Sequence, residues 1–344
     1  MKFGFWRGKI VAIFHRSLNV EMEGGFLIHV GEDRLPLTSR SVLLPKEDFY
    51  RLLLPRAFLG QPVTIADGSM YVGDIQLNFS HAETHIFDPQ IHLLQELLAH
   101  PIVFKNLVTA FHVVEEVREE REERSFSPFA NYFLSQIAFF DDPKLDKAEI
   151  PGSLPGGADL SIQMKNALWE RVDFFLQALS QEAWDEVRGC IRKIIGLGLG
   201  LTPSGDDFLA GFISVGVILG KPWPNFRECT QKLAKIIMEE AAGRTTSVSV
   251  AMLADAANGE VAEPVSHFLR SILETGDEEG IRSFAAEICR MGAASGEDLL
   301  NGLATGIFFF QKMASSKQRD HALLEDTRMI QMGPSRYEVS LRKI

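Results

Sequence analysis

Two carboxylates beside a glycine-rich turn are the first residues of this chain that suggest chemistry. Asp206 and Asp207 follow the run Gly196-Leu197-Gly198-Leu199-Gly200-Leu201-Thr202-Pro203-Ser204-Gly205 and precede Phe208-Leu209-Ala210-Gly211. A glycine loop that feeds a helix start leaves backbone N–H groups unpaired, and such groups bind anions. Thr202, Pro203 and Ser204 read as that start, with hydroxyls for the cap and a proline that needs no donor. Asp206 and Asp207 then fall in the first turn, where the helix dipole favours negative charge. The spacing Gly200-x-x-x-x-Gly205 imitates a P-loop, but Asp206 and Asp207 stand where Lys and Ser/Thr are required, so this is not an NTPase loop. Two carboxylates here suit a Mg²⁺ ion, a cationic ligand group or acid/base work on a small substrate. The alternative is a well-capped helix that needs no ligand.

The motif recurs. Ser204-Gly205-Asp206-Asp207-Phe208-Leu209-Ala210-Gly211 has an echo 91 residues later, Ser295-Gly296-Glu297-Asp298-Leu299-Leu300-Asn301-Gly302. Ser, Gly, acid, Asp, apolar, Leu, small and Gly keep their order. Duplicated packing alone would require the leucines and glycines but not the Ser-Gly-acid-Asp head. The repeat therefore favours a functional site at which both helix starts face one cleft, with Asp206, Asp207 and Asp298 as its acids. Between the two motifs, Arg244-Thr245-Thr246-Ser247 opens another helix, a composition that suits a phosphate or carboxylate. The expected anion-binding set is Gly198, Gly200, Thr202, Ser204, Gly205, Arg244, Thr245, Thr246, Ser247, Ser295 and Gly296. Asp206 and Asp207 are the candidates for Mg²⁺.

The string GLGLGLTPSGDDFLAG, the Arg244–Ser247 segment with Ser249, and the SGEDLLNG echo together resemble the AllH family. That family includes the AllH subunit of oxamate carbamoyltransferase, from anaerobic allantoin breakdown in bacteria. Its second motif reads closer to Ser-Ser-Gly-Thr-Asp, so Ala294 and Glu297 depart from it. The resemblance implies a cytoplasmic subunit of a multicomponent carbamoyltransferase, with a carbamoyl phosphate- or oxamate-like substrate and companion subunits as partners. Two other readings stay open. One is a Mg²⁺-dependent hydrolase of ADP-ribosylglycohydrolase-like character, which also places aspartates at helix starts. The other is a non-catalytic assembly subunit in which the glycine loop is packing.

The elements that must position these residues divide the 344-residue chain. Residues 1–90 carry short β-branched and aromatic runs at 9–14, 25–30, 42–44, 62–66 and 74–79, with turn signals at Asp67-Gly68 and Gly73-Asp74. They predict a small barrel-like β domain. Residues 91–150 read as a helical connection and linker, with a charge-alternating face over 115–124 and Pro/Gly-rich sequence over 141–159. Residues 151–313 read as an α-helical domain carrying the motifs, its last helix ending near Lys312, and 314–344 as a polar tail. The fold class is α+β. His81 and His85, four apart, are a weaker metal candidate, with His92 and His100 nearby.

Composition limits the partners. A net charge of −11 argues against nucleic acid and anionic membrane. The apolar run Phe208–Gly220 is too short and glycine-rich to span a bilayer. Cys190, Cys229 and Cys289, odd in number and far apart, read as reduced buried thiols of a cytoplasmic protein.

Overall fold

The computed structural model describes residues 5–84, 101–120 and 160–331, apart from 222 and 293. The linker over 141–159, the histidines at 85, 92 and 100, and the end of the chain lie outside the described residues; His81 is exposed.

The α+β class holds. Seven strands, β1 (Trp6–Ile13), β2 (Ser17–Met22), β3 (Leu27–Glu32), β4 (Ser41–Leu44), β5 (Pro62–Ala66), β6 (Ser69–Val72) and β7 (Ile75–Asn78), form one sheet. Their order is β4-β3-β2-β1-β5-β6-β7, and the pairs are antiparallel except β3 with β4. The sheet curls as a half-barrel around its own apolar cluster, which includes Ile10, Val20, Val30 and Met70 and is plugged by Phe49 and Leu53 from an irregular helical stretch after β4. Two of these strands, β2 and β6, are not among the predicted runs. Leu18, Val20 and Met22 alternate with polar neighbours, so the period-2 signal of β2 was present. β6 was hidden by its turn: Asp67 and Gly68, both at positive φ (50° and 73°), form a two-residue hairpin loop with Ala66 paired to Ser69.

The rest is helical: α1 (Pro101–Glu120), α2 (Leu160–Ser180), α3 (Trp184–Ile194), α4 (Ser204–Gly220), α5 (Pro224–Ala241), α6 (Ser247–Asn258), α7 (Glu263–Arg270), α8 (Glu278–Cys289) and α9 (Ser295–Gln331). A second apolar cluster, separate from that of the sheet, holds them together. α4 is its axis, with all but one of its seventeen residues buried, as expected for a helix that is oily on every side. Part of the charged face of α1 is used internally, since Glu116 takes both 3.0 Å hydrogen bonds from Arg282 Nη1 of α8. α9 continues to Gln331, well past the expected stop near Lys312. Its composition past that point holds Ala, Lys, Gln, Arg and Leu with no Gly or Pro until Gly333-Pro334, so nothing local ends it. The three cysteines are free; Cys229 and Cys289 are buried and Cys190 partly so. No helix among the described residues is long and apolar enough to cross a membrane.

The sheet meets the helices at Arg40, just before β4. Its Nε donates to Asp255 Oδ1 and Oδ2 of α6 at 2.6 and 2.8 Å, and its guanidinium lies over the Phe26 ring. Beside it, Glu263 N–H donates to Leu37 O at 2.9 Å. Both charged side chains are mostly buried, so removing one strands the other. Arg40→Ala should cost about 1–3 kcal/mol, read as a lower urea midpoint. A midpoint equal to that of wild type would mark the pair as a surface contact of no consequence.

Candidate functional site

The two Ser-Gly-acid-Asp motifs open α4 and α9, and these helices run side by side. A Cβ on Gly211 would sit 2.2 Å from Leu299 O, one on Gly302 would sit 2.1 Å from Phe208 O, and one on Gly216 would meet the Phe310 ring at 2.8 Å. Residue positions rise together on both helices, so the pair is parallel, with its N-termini at one end. The entries match as well. Gly205 N–H donates to Leu197 O and Gly296 N–H to Met291 O, both at 2.9 Å. Each of these glycines lies against the last turn of the preceding helix, where a Cβ would be 2.0 Å from Ile194 O or 1.8 Å from Ile288 O. The internal duplication is thus structural: helix, tight turn, glycine, acid-headed helix, twice.

Parallel packing places two positive dipole ends together, which is unfavourable without negative charge between them. Asp298 supplies it, and Asp207, at the equivalent position of the repeat, lies beside that charge. Asp207 is 2% exposed and Asp298 0%. Burial first, and then the Asp298 charge, push the Asp207 carboxyl up to about 9, against hydrogen bonds from Ser295 and Thr202 that favour its ionised form. It is therefore protonated at neutral pH, and its Oδ2 has no hydrogen-bond partner among the described residues. Above the acids, Thr202 Oγ1 and Ser295 Oγ lie 2.8 Å apart and bridge the two motifs. Both hydroxyl residues are partly exposed.

Asp206 has a different environment from its neighbour. Its Oδ1 accepts from Gly196 N–H at 2.8 Å and its Oδ2 from the Thr245 hydroxyl. It is fully buried and ties the glycine loop to the start of α6. Thr246 caps α6 by accepting from Ser249 N–H at 3.0 Å and also donates to Leu201 O. Gly196 is held at φ 73° with Arg244 O where a Cβ would be, so no other residue fits there. Thr245 and Thr246 thus hold the loop, although the sequence suggested an anion cradle. Arg244 lies against Glu240, Nε to Oε2 3.3 Å, beside Arg188 and Arg192. The Arg192 guanidinium is the main reason that the Glu240 carboxyl falls to about 2. Glu240 was not singled out in the sequence; its place four residues before Arg244 was the available signal.

The remaining expected residues divide by position. Gly198 and Gly200, at φ 129° and 98°, form the loop; Ser204 and Gly205 are buried at the head of α4, with Gly296 at the head of α9; Ser247 is exposed in the first turn of α6. The expected hydroxyl cap on α4 is absent. Pro203 is the cap residue and its carbonyl accepts from both Asp206 and Asp207 N–H, which leaves Thr202 for Ser295. Leu199 stands 89% exposed at the loop tip. Among the described residues no group of three or more His, Cys, Asp or Glu is placed to hold a metal ion.

One consequence is local. Thr245→Val removes the donor to a buried carboxylate and should cost about 1–3 kcal/mol, with faster amide exchange over residues 196–201. Unchanged exchange there would show that the clamp does not hold the loop.

Fold and geometry together define an α+β chain in which two duplicated helix starts meet. Residues 194–307 match the family model described as oxamate carbamoyltransferase subunit AllH, which supports the AllH assignment suggested by the motifs. The match takes in both motifs and the Arg244–Ser247 segment. No solved structure matches the chain.

Proposed function

We propose that this chain is an AllH-like subunit of a multicomponent carbamoyltransferase, and that its paired helix starts bind the small anionic substrate. The carrying observation is the Thr202–Ser295 hydroxyl bridge set over the buried Asp207–Asp298 pair. Two helix N-termini and a glycine loop favour carboxylate or phosphate oxygens, while hydroxyl oxygens accept from an amide N–H and hydroxyl protons are donated to an amide carbonyl oxygen. In carbamoyl transfer the bond from the carbamoyl carbon to a phosphate oxygen breaks. A bond from that carbon to the oxamate nitrogen forms, and the nitrogen loses a proton that the released phosphate takes up. The hydroxyl pair would position the nitrogen, and the protonated Asp207 beneath would pass its proton towards the released phosphate through those hydroxyls as it takes up the one from the nitrogen. Asp206 in this reading is a positioning residue, since both its oxygens hold the loop. Exposed Leu199 and the loop around it favour closure of the site by a companion subunit.

The test is turnover by the chain co-expressed with the other products of its operon, supplied with carbamoyl phosphate and oxamate. Ser295→Ala and Asp207→Asn should each lower kcat by on the order of 10²-fold while the complex still assembles. Full activity in both variants would remove the paired helix starts from the reaction. Loss of assembly without loss of intrinsic turnover would make this a scaffolding subunit.

A further inference from the structure

The far end of α4 carries a cavity away from the paired helix starts. It encloses about 390 Å³ between the end of α4, one face of α5 and the end of α6. α5 contributes Arg227, Thr230, Gln231 and Ala234, the i, i+3, i+4, i+7 spacing of a single helix face. Its polar wall is Lys221, Arg227, Thr230, Gln231 and Asn258, over an apolar floor that includes Val217 and Ala257. None of the described lining residues is acidic, in a chain whose 46 acidic residues outnumber 35 Lys and Arg. A helix C-terminus ordinarily repels anions, but here Arg227 covers it. Its Nε donates to Gly220 O at 3.1 Å and its Nη2 to Lys221 O. Those bonds fix the guanidinium without engaging Nη1, which leaves a positioned donor. Gly220 allows the approach, for a Cβ there would stand 3.1 Å from Arg227 Cα. Thr230 is 2% exposed, and its hydroxyl has no hydrogen-bond partner among the described residues.

We infer that this cavity binds the carboxylate or phosphate of a small metabolite, held by Arg227 and Lys221 with Gln231 and Asn258 at its rim. With α4 seventeen residues long, the cavity lies about 25 Å from the Thr202–Ser295 bridge. The two sites are therefore distinct. An oxyanion with a short apolar portion matches its charged wall and apolar floor.

Calorimetric titration of the full chain with inorganic phosphate, and separately with malonate, tests the inference and distinguishes a phosphate site from a carboxylate site. One of the two probes should bind saturably, and that binding should persist in Ser295→Ala. Lys221→Ala, at an exposed position, and Arg227→Lys, which keeps the charge but loses the fork, should each weaken it roughly tenfold or more. The inference is overturned if neither probe saturates wild type below about 10 mM. It is equally overturned if binding survives both cavity variants or disappears in Ser295→Ala. Thermal melts of each variant show whether a lost signal reflects the site or the fold.

Discussion

Gly302→Ala should lower the stability of this protein by roughly 3 kcal/mol or more, although it adds a single methyl group in a helix. The added Cβ would lie 2.1 Å from Phe208 O and 3.0 Å from Phe212 N, both backbone atoms of α4. A flexible side chain could turn aside, but a helix backbone cannot, so α4 and α9 must separate. Gly211→Ala meets Leu299 O at 2.2 Å and should behave alike. Helix propensity acts in the opposite direction: in an open helical position the same change gains about 0.5–1 kcal/mol. Gly189 in α3, where a Cβ would have no atom within 4 Å, provides that comparison. Thermal unfolding of the three variants decides the matter. If Gly302→Ala melts with wild type or with Gly189→Ala, the close parallel contact of α4 and α9 is wrong. The contact also sets the distance between Asp207 and Ser295, so on the proposed reading Gly302→Ala should perturb substrate binding without replacing any of the proposed site residues.

Asp207→Asn should remove a pH dependence from stability. The Asp207 carboxyl is raised from 3.8 to about 9 by burial and by Asp298, with Asp206 adding a smaller repulsion and Ser295 and Thr202 opposing. Between those two values the folded chain keeps a proton that the unfolded chain has released. More protons bound to the folded state means that unfolding free energy falls as pH rises. The contribution is fully present below the unfolded value and is lost as the pH climbs through the folded one. Asn has the shape of the protonated acid and cannot ionise. Relative to wild type, the variant should therefore gain several kcal/mol, on the order of five, between pH 5 and pH 9. The observable is the difference between their melting curves over that range. A difference that does not change with pH would mean that Asp207 titrates as an ordinary carboxylate. Asp298→Asn removes the second cause of the shift, so it should flatten the wild-type slope in part.

The sequence alone determined the pieces of this site that depend on local physics. Acids in a first turn, glycines before it and a repeat spaced 91 residues apart are readable because caps, dipoles and duplication act over a few residues. The β-rich first part and the helical remainder were legible for the same reason, through periods of two and 3.6. Only the tertiary structure separated Asp206 from Asp207. Successive residues on a helix point about 100° apart, so one carboxylate turns back to Gly196 and Thr245 while the other turns to α9. No property of the Asp-Asp dipeptide says which is which, because each partner comes from a distant segment. Thr245 and Thr246 became loop clamps, and Arg244 a partner of Glu240, for the same reason. The parallel sense of α4 and α9 is likewise a tertiary fact. Their glycines permit close approach in either direction, and it is the packing of both helices around one core that brings like ends, and with them two acids and two hydroxyls, to the same mouth.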